Sequence, residues 1–422
     1  MKVMVIGNGG REHAIVWKLA QSLSASKIYC TPGNGGTAAI AENVPLESIE
    51  AMAEFAFAQQ IDLTVVGPET YLAAGAVDTF QRKGLRIYGP SQAAAQLESS
   101  KVYLKEFLRR HQIPTARYES FTDPEAARNY LKTQQTPIVV KADGLAAGKG
   151  VVVAFEMETA LHAIDQIMTD RVFGESGAAV VIEEYMDGEE VSLLAFCDGN
   201  IAVPMLPAQD HKRIGDGDTG PNTGGMGTYA PTSAYTPAIA ERVVTEILNP
   251  TIAAMKKEGT PFVGTLFAGL MITKDGPKII EYNVRFGDPE TQVVLPLLQS
   301  DLARIFWDAT EGKLNPDRIQ WATDQQAVCV VAASPGYPGP YPTGTTINGL
   351  EQVTDSLIFH AGTKRDPDGQ IVTAGGRVLN IVHLGKTIQA AVAGAYQAVQ
   401  QVSFEGIYYR KDIAGRELNR GK

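Results

Sequence analysis

The sequence predicts a multidomain chain of mixed α/β and α+β class, with a parallel α/β unit first and a β-rich unit last. Three observations carry this reading. Near the N-terminus, short apolar runs alternate with helical stretches and end in glycine-bearing loops, the pattern of a parallel sheet. In the middle, apolar runs follow one another across short turns, as at 190–197 and 201–205 around Asp198, Gly199 and Asn200, the pattern of hairpins. The length, 422 residues, corresponds to two to three domains at roughly 150 residues each.

The elements follow in order. Residues 2–6 (KVMVI) read as a buried strand, followed by GNGG at 7–10 and a helix over about 11–22. A second strand at 27–30 ends in TPGNGG at 31–36, a third at 61–66 in GPE at 67–69, and a fourth at 86–88 in GP at 89–90. All four loops fall at carboxyl ends of strands, where parallel sheets bind ligands. A helix at 100–111 leads to strands at 137–141 and 151–155, joined by ADGLAAGKG at 142–150. A helix near 158–170, a strand at 178–185 and the hairpin come next. Residues 209–231 read as a long loop rich in Gly, Asp and Asn, and loops this long are usually functional or disordered. A helix over 237–257, strands at 264–273 and 278–286, and helices over 290–311 close the centre. Polar residues at 312–326 mark a boundary. Beyond it lie strands at 327–333, 357–361 and 378–383 and a helix over 387–402.

Composition removes several classes of function. Lys plus Arg is 37 and Asp plus Glu is 47, a net charge of −10, which argues against binding nucleic acid over a broad surface. A local basic pocket for a small phosphorylated ligand stays open. Cys30, Cys197 and Cys329 lie far apart, odd in number and without a CxxC pair, which fits a reducing cytoplasm better than a disulfide framework or structural zinc. No apolar run reaches the roughly 18 residues of a membrane span, and the N-terminus does not read as a signal peptide.

The motifs are sharper. GNGGREH at 7–13 invites a dinucleotide reading, but that fingerprint needs a third glycine where Glu12 stands, and an acid where the second strand ends in Cys30 and Thr31. A strand, a glycine turn and a helix N-terminus remain, which suit a phosphate or simply a tight packing turn. GLAAGKG at 144–150 resembles a Walker A loop, but its spacing is one short, Gly150 replaces Ser/Thr, and a strand follows. A glycine loop between two strands is instead a lid whose N–H groups can cover phosphates. Lys141 at the strand end would serve as a point charge. EEYMDGEE at 183–190 ends an apolar strand. Its backbone could meet an adenine edge and Glu189 or Glu190 ribose hydroxyls, or it is merely an acidic loop. Glu281, Asn283 and Arg285 alternate with Tyr282, Val284 and Phe286, so strand geometry puts the polar three on one face. A carboxylate and an amide oxygen suit Mg²⁺, and Arg285 can grip an anion, bidentately if it is a carboxylate. His13 and His211 are expected to titrate near neutrality; the other four histidines read as structural.

Together VIGNGGREHA (5–14), PGNGGT (32–37), VVGPE (65–69), VVKADGLAAGKGV (139–151), EEYMDGEE (183–190), QDHKRIGDGDTGPNTGGMG (209–227), IEYNVRFGDPETQ (280–292) and FHAGTK (359–364) closely resemble the phosphoribosylamine–glycine ligases, or glycinamide ribonucleotide synthetases, of the ATP-grasp superfamily. The resemblance spans nearly the whole chain. It implies a Rossmann-like N-terminal α/β domain over 1–100, an ATP-grasp domain over 101–320 with a small lid at about 120–188, and a β-rich C-terminal domain over 321–422. It implies ATP-dependent joining of glycine to 5-phosphoribosylamine in purine synthesis through glycyl phosphate, by a cytoplasmic monomer using Mg²⁺ or Mn²⁺. Neither nucleic acid nor a membrane is an implied partner.

The resemblance also implies roles. Arg285, Lys141 and Asp210 would be catalytic. ATP would be held by Lys101, Val139, Lys141, Gly144, Gly148, Lys149, Gly150, Glu183, Glu184, Tyr185, Met186 and Glu189, and the metal by Glu281 and Asn283. Glycine and the reacting phosphate would meet Asp210, Gly225, Met226, Arg285, Gly287, Asp288, Pro289 and Glu290; phosphoribosylamine would meet Gly9, Gly10, Asn34 and Glu69. Many superfamily members carry a further acidic metal ligand on the preceding strand, but 264–273 carries no acid, leaving the metal count open. The rivals are another ATP-grasp carboxylate–amine ligase with different substrates, which a substrate screen separates, and a non-catalytic nucleotide sensor. Retention of Lys141, Glu281, Asn283 and Arg285 together argues against the sensor.

Overall fold

A computed structural model describes residues 1–145 and 150–420 of the chain. Strands β1 (Lys2–Gly7), β2 (Lys27–Pro32), β3 (Glu42–Asn43), β4 (Leu63–Val66) and β5 (Ile87–Tyr88) form one parallel sheet in the order β3-β2-β1-β4-β5. Its centre is buried on both faces, as apolar strands between helices must be. Met4 and Ile6 pack with Met52, Ala53 and Phe80, while Val3 and Val5 pack with Ile15 and Leu19. The strand order reverses direction between β1 and β4, so the loops after them flank the crevice where such sheets bind ligands. Gly9 ends the first of those loops, and Glu69 opens the short helix that follows the second.

Strands β6 (Tyr118–Phe121), β7 (Ile138–Ala142), β8 (Val151–Ala154) and β9 (Val180–Glu184) make an antiparallel sheet ordered β6-β9-β7-β8. Its apolar cluster draws only on residues 121–182, so this lid has a core of its own. By contrast, Met4 and Phe80 share one cluster with Phe107, Leu193 and Phe262, so the N-terminal unit and the central region are one body. β6 was not apparent in the sequence; it is short, half-exposed and lacks a clean alternation.

In the centre, β10 (Glu189–Asp198) and β11 (Ala202–Pro204) form the expected hairpin. The segment expected as a long loop is ordered into β12 (Gln209–Asp210), β13 (Arg213–Gly215), β14 (Thr219–Asn222) and β15 (Gly227–Ala230). β13 and β14 pair with each other. β16 (Val263–Thr273) and β17 (Gly276–Asn283) complete a sheet ordered β11-β10-β16-β17. The C-terminal strands are β18 (Gln326–Ala333), β19 (Leu357–His360), β20 (Thr363–Arg365), β21 (Ile371–Thr373) and β22 (Arg377–Gly385). Their main sheet runs β12-β15-β18-β22-β19. It therefore borrows two strands from 209–230: β15 pairs with β18, about a hundred residues further on, and β12 adds to the edge by pairing with β15. Helix Ile388–Val399 covers one face of it with Ile388, Ala391, Ala395 and Val399. Among the described residues no helix is long and apolar enough to cross a membrane.

Candidate active site

The end expected to meet the phosphates is built by a helix and the β6–β9 sheet. Helix Lys101–Arg110 starts at Ser100, whose hydroxyl accepts the Tyr103 N–H at 3.0 Å. The Asp143 carboxylate accepts the Val102 N–H at 2.8 Å and the Ser100 hydroxyl at 3.0 Å, pinning the root of the glycine loop to that helix end. Lys101 Nζ donates to the Gly144 carbonyl at 3.0 Å, and burial lowers the pKa of its ammonium. Lys141, on β7 two residues from buried Val139, donates to the Ile280 carbonyl at 3.2 Å and lies 3.0 Å from Glu183 Oε1. Glu183 was expected at the adenosine, but its carboxylate is buried between Lys141 and Lys105, whose Nζ lies 3.1 Å from Oε2.

The rest of that strand end differs. Glu184 accepts the Arg117 N–H at 3.0 Å and its Nε at 2.6 Å. Tyr185 is exposed and its ring lies 5.9 Å from that of Phe155, with Met186 half-buried beside it. Glu189 accepts from Gln209 at 2.9 Å and pairs with Arg420. Gly150 accepts the Ala142 N–H at 2.8 Å. Gly148 and Lys149 lie outside the described residues.

β17 ends at Asn283, three residues short of the strand expected to 286, yet the alternation in burial continues past it: Glu281, Asn283 and Arg285 are half-buried, Tyr282, Val284 and Phe286 buried. A bulge leaves Ile280 unpaired between Leu270↔Ile279 and Gly269↔Glu281, which frees the carbonyl that Lys141 uses. Burial works to raise the pKa of Glu281, but Lys212, Lys141, Lys101 and Arg285 outweigh it and hold the carboxyl below its usual range. It is therefore an anion at neutral pH. A side chain at Gly269, the residue paired with Glu281 on the neighbouring strand, would meet Glu281 Cγ at 3.2 Å. Among the described residues no three His, Cys, Asp or Glu side chains cluster to hold a metal. Glu281 and Asn283 are a two-oxygen set, which suits a hard cation that keeps phosphate oxygens and water as its other ligands.

Arg285 is more enclosed than expected. Its Nε donates to Glu69 at 3.1 Å, its Nη2 to Glu98 and to Asn283 Oδ1 at 3.0 Å each, and its Nη1 to the Phe286 carbonyl at 3.3 Å. Burial works to lower the pKa of the guanidinium, but Glu98 and Glu69 raise it. The edge needed for a bidentate grip is thus already occupied by the chain, which corrects that expectation. Glu98 is buried and also accepts the Val284 N–H at 2.7 Å. Nothing around it in the sequence marked it.

The adjoining corner joins Asp210 on β12 to the turn after β17. Gly225 has φ +117°, and a Cβ there would lie 2.5 Å from Pro289 Cδ and 2.8 Å from Asp210 Oδ1, so only glycine lets the two loops meet. Met226 is fully buried behind it, and Gly287 sits against the Glu290 carboxylate. Asp210 and Glu290 have raised pKa values, Asp210 by burial and by Glu290, Glu290 by burial. Ser192 donates to Glu290 at 2.9 Å. Arg377, from β22, donates to the Gly224 and Asp288 carbonyls at 2.9 Å each and lies 3.3 Å from Asp288 Oδ1. It was missed because its partners are far away in sequence.

The N-terminal loops close against the C-terminal sheet. Gly9 donates its N–H to Glu12 at 2.6 Å, so the chain's own acid caps part of that helix end. A Cβ at Gly10 would collide with Asn380, and at Gly36 with His13 and His360. Asn34 donates to the Asn8 carbonyl at 2.9 Å and the His360 carbonyl at 2.8 Å, which ties the PGNGGT and FHAGTK segments together. The His360 N–H donates to His13 Nδ1 at 2.8 Å. Burial pulls His13 down to about 3 and His211 to about 4, so neither titrates near neutrality, contrary to expectation.

Comparison with known proteins matches this architecture piece by piece. The phosphoribosylglycinamide synthetase N domain matches residues 1–98, its ATP-grasp (A) domain 99–291 and its C domain 327–416. The phosphoribosylamine–glycine ligases of Yersinia pestis and Ralstonia nicotianae are 49% and 51% identical over 429 and 424 residues, covering 100% of both chains in each pair. The crystal structure of the Thermotoga maritima phosphoribosylamine–glycine ligase superimposes with a TM-score of 0.87 at 35% identity, over 98% of this chain and 100% of that one. A biotin carboxylase domain from Hydrogenobacter thermophilus shares the fold at TM-score 0.73 and 15% identity, over 97% of this chain and 91% of that one. The chain belongs to the phosphoribosylglycinamide synthetase family.

Proposed function

We propose that this chain uses ATP to join glycine to 5-phosphoribosylamine, giving glycinamide ribonucleotide, ADP and phosphate. The family's ATP-dependent ligase activity is the frame. The observation that carries it is the crowding of Lys101, Lys141, Lys212 and Arg285 around the Glu281 carboxylate, beside the Asp210–Glu290 pair. That gathering of charge supports binding of polyphosphate, a cation and an amino acid side by side.

A glycine carboxylate does not accept an amine directly, because its leaving group would be an oxide. Transfer of the ATP γ-phosphoryl group to the carboxylate gives glycyl phosphate and ADP. The neutral amine of phosphoribosylamine then adds to the acyl carbon, phosphate leaves, and a proton is lost from nitrogen. Lys101, Lys141 and the glycine loop would hold the phosphates, and the strand end at 184–186 with Glu189 the adenosine. Asp210 and Glu290 would receive the glycine ammonium, since two carboxylates that resist ionising together welcome a cation. Arg285 would face the acyl phosphate by its Nη1 edge. Gly9, Gly10, Asn34 and Glu69 would border the phosphoribosylamine. Glu281 and Asn283 would hold Mg²⁺, or Mn²⁺ in its place. The ion supplies charge neutralisation on the transferring phosphoryl group. The lid and the 209–230 strands keep water from the acyl phosphate.

Family resemblance supports a monomer. Three free, buried cysteines fit the cytoplasm. The test is ATP-dependent phosphate release with glycine and Mg²⁺, with and without 5-phosphoribosylamine generated in situ. Release that needs both substrates supports the assignment. Release indifferent to either one, or none with ATP bound, transfers the weight to another acid–amine pair.

A further inference from the structure

Lys105 lies outside every motif that marked the site, yet it is among the most buried charges in the chain, 1% exposed. Lysine is almost never buried so fully unless paired. Its Nζ sits 3.1 Å from Glu183 Oε2 and donates to Thr115 Oγ1 at 2.7 Å; that hydroxyl donates to the Ile279 carbonyl at 2.8 Å. Lys105 is therefore anchored on the far side of Glu183 from Lys141. Lys141 touches the same carboxylate at 3.0 Å, but Glu183 Oε1 receives no aligned hydrogen bond. The only aligned hydrogen bond of the Lys141 ammonium among the described residues goes to the Ile280 carbonyl. One carboxylate is thus divided between two ammonium groups in a region of low dielectric, where such sharing counts most.

We propose that Lys105 is a positioning residue for ATP: by sharing Glu183 it prevents that carboxylate from neutralising Lys141, and so leaves the Lys141 charge and its free donors to the nucleotide phosphates. The inference rests on the ATP site proposed above. Without the Lys105 charge, Glu183 would close on Lys141 as a neutral pair, and the phosphates would meet a weaker partner. The row is also sensitive to pH. Burial lowers Lys105 to about 8, opposed mainly by Glu183 and assisted by Lys141. Glu184 also acts on it, and the Tyr118 ring lies 5.8 Å from its Nζ.

The experiment measures binding of the ATP–Mg²⁺ complex by calorimetry, and KM and kcat, for the wild type, Lys105→Met, Lys105→Arg and the double variant Lys105→Met/Glu183→Gln. Lys105→Met should weaken ATP on the order of tenfold, the size of a coupled charge pair, with the KM for glycine unmoved. The double variant should recover most of that loss, because it also removes the carboxylate that captures Lys141. Wild-type ATP affinity should fall as pH rises through about 8, and Lys105→Arg should flatten that fall. Unchanged ATP binding in Lys105→Met, or a double variant no better than the single one, would overturn the proposal. If Lys105→Met does not fold, identical pH profiles for the wild type and Lys105→Arg would overturn it alone. Binding is read apart from turnover, so a wild type that binds ATP without ligating glycine would sink the functional assignment and leave this inference to its own test.

Discussion

Glu98 accepts the Arg285 guanidinium at 3.0 Å across 187 positions of sequence, and with its other oxygen the Val284 N–H at 2.7 Å. One buried carboxylate thereby fixes both the backbone and the side chain at the end of β17. Burial raises its pKa, opposed by Arg285 and reinforced by Glu69. Arg285 is held between two acids, Glu69 and Glu98, and its Nη1 makes only the longer bond to its neighbour's carbonyl, Phe286 at 3.3 Å.

Glu98→Gln should keep the bond to Val284 and weaken the grip on Arg285. We expect kcat to fall roughly tenfold to a hundredfold, the usual cost of a misplaced reacting group, with little change in the KM for ATP. Steady-state kinetics with each substrate varied in turn decides it. A rise in the ATP KM with kcat intact would place Glu98 elsewhere in the mechanism.

Glu281→Ala should fold normally and lose ATP turnover, because Glu281 is the only acid of the proposed metal pair and is only half-buried. Circular dichroism and phosphate release check both parts. Near wild-type turnover at saturating Mg²⁺ contradicts the role.

Asp210 and Glu290 resist ionising together. A protonated acid cannot hold the glycine ammonium, so the KM for glycine should rise as pH falls. Glu290→Gln removes one of the two charges and should weaken glycine binding while making it less dependent on pH. A glycine KM equally steep in pH in the variant would argue that neither acid meets the ammonium.

His13, held at about 3, and His360, held at about 4, are neutral in the fold. In the unfolded chain they would take up protons near 6.5. The unfolded state therefore binds more protons between about 6.5 and 3–4, and stability should fall as pH drops through that window. Urea unfolding at a series of pH values should show the loss, and His13→Asn, whose amide oxygen can still accept the His360 N–H, should make it shallower. An unchanged slope would mean other groups set the acid limit.

Much of the fold was legible in the sequence where the punctuation is local. Glycine loops at the ends of β1, β2 and β4 mark a parallel sheet because only short turns there let the helices return. The alternation from Glu281 to Phe286 marked two faces, although the strand itself ends at Asn283. Long-range relations were hidden. Residues 209–231 look like a loop because β15 is made a strand by β18, about a hundred residues further on, and β12 only by its pairing with β15. Glu98 and Arg377 are single charges whose partners are remote in the chain. The protonation of His13 depends on burial by a segment 347 residues away, which no local pattern records.

In the proposed reaction glycine is activated as its acyl phosphate. The most direct measurement uses glycine with both carboxylate oxygens replaced by oxygen-18 and follows the released phosphate by mass spectrometry. One labelled oxygen per phosphate, appearing when ATP and 5-phosphoribosylamine are both present, is the result predicted, because the oxygen that attacks the γ-phosphorus leaves with it. Phosphate released without label while glycinamide ribonucleotide accumulates would contradict it.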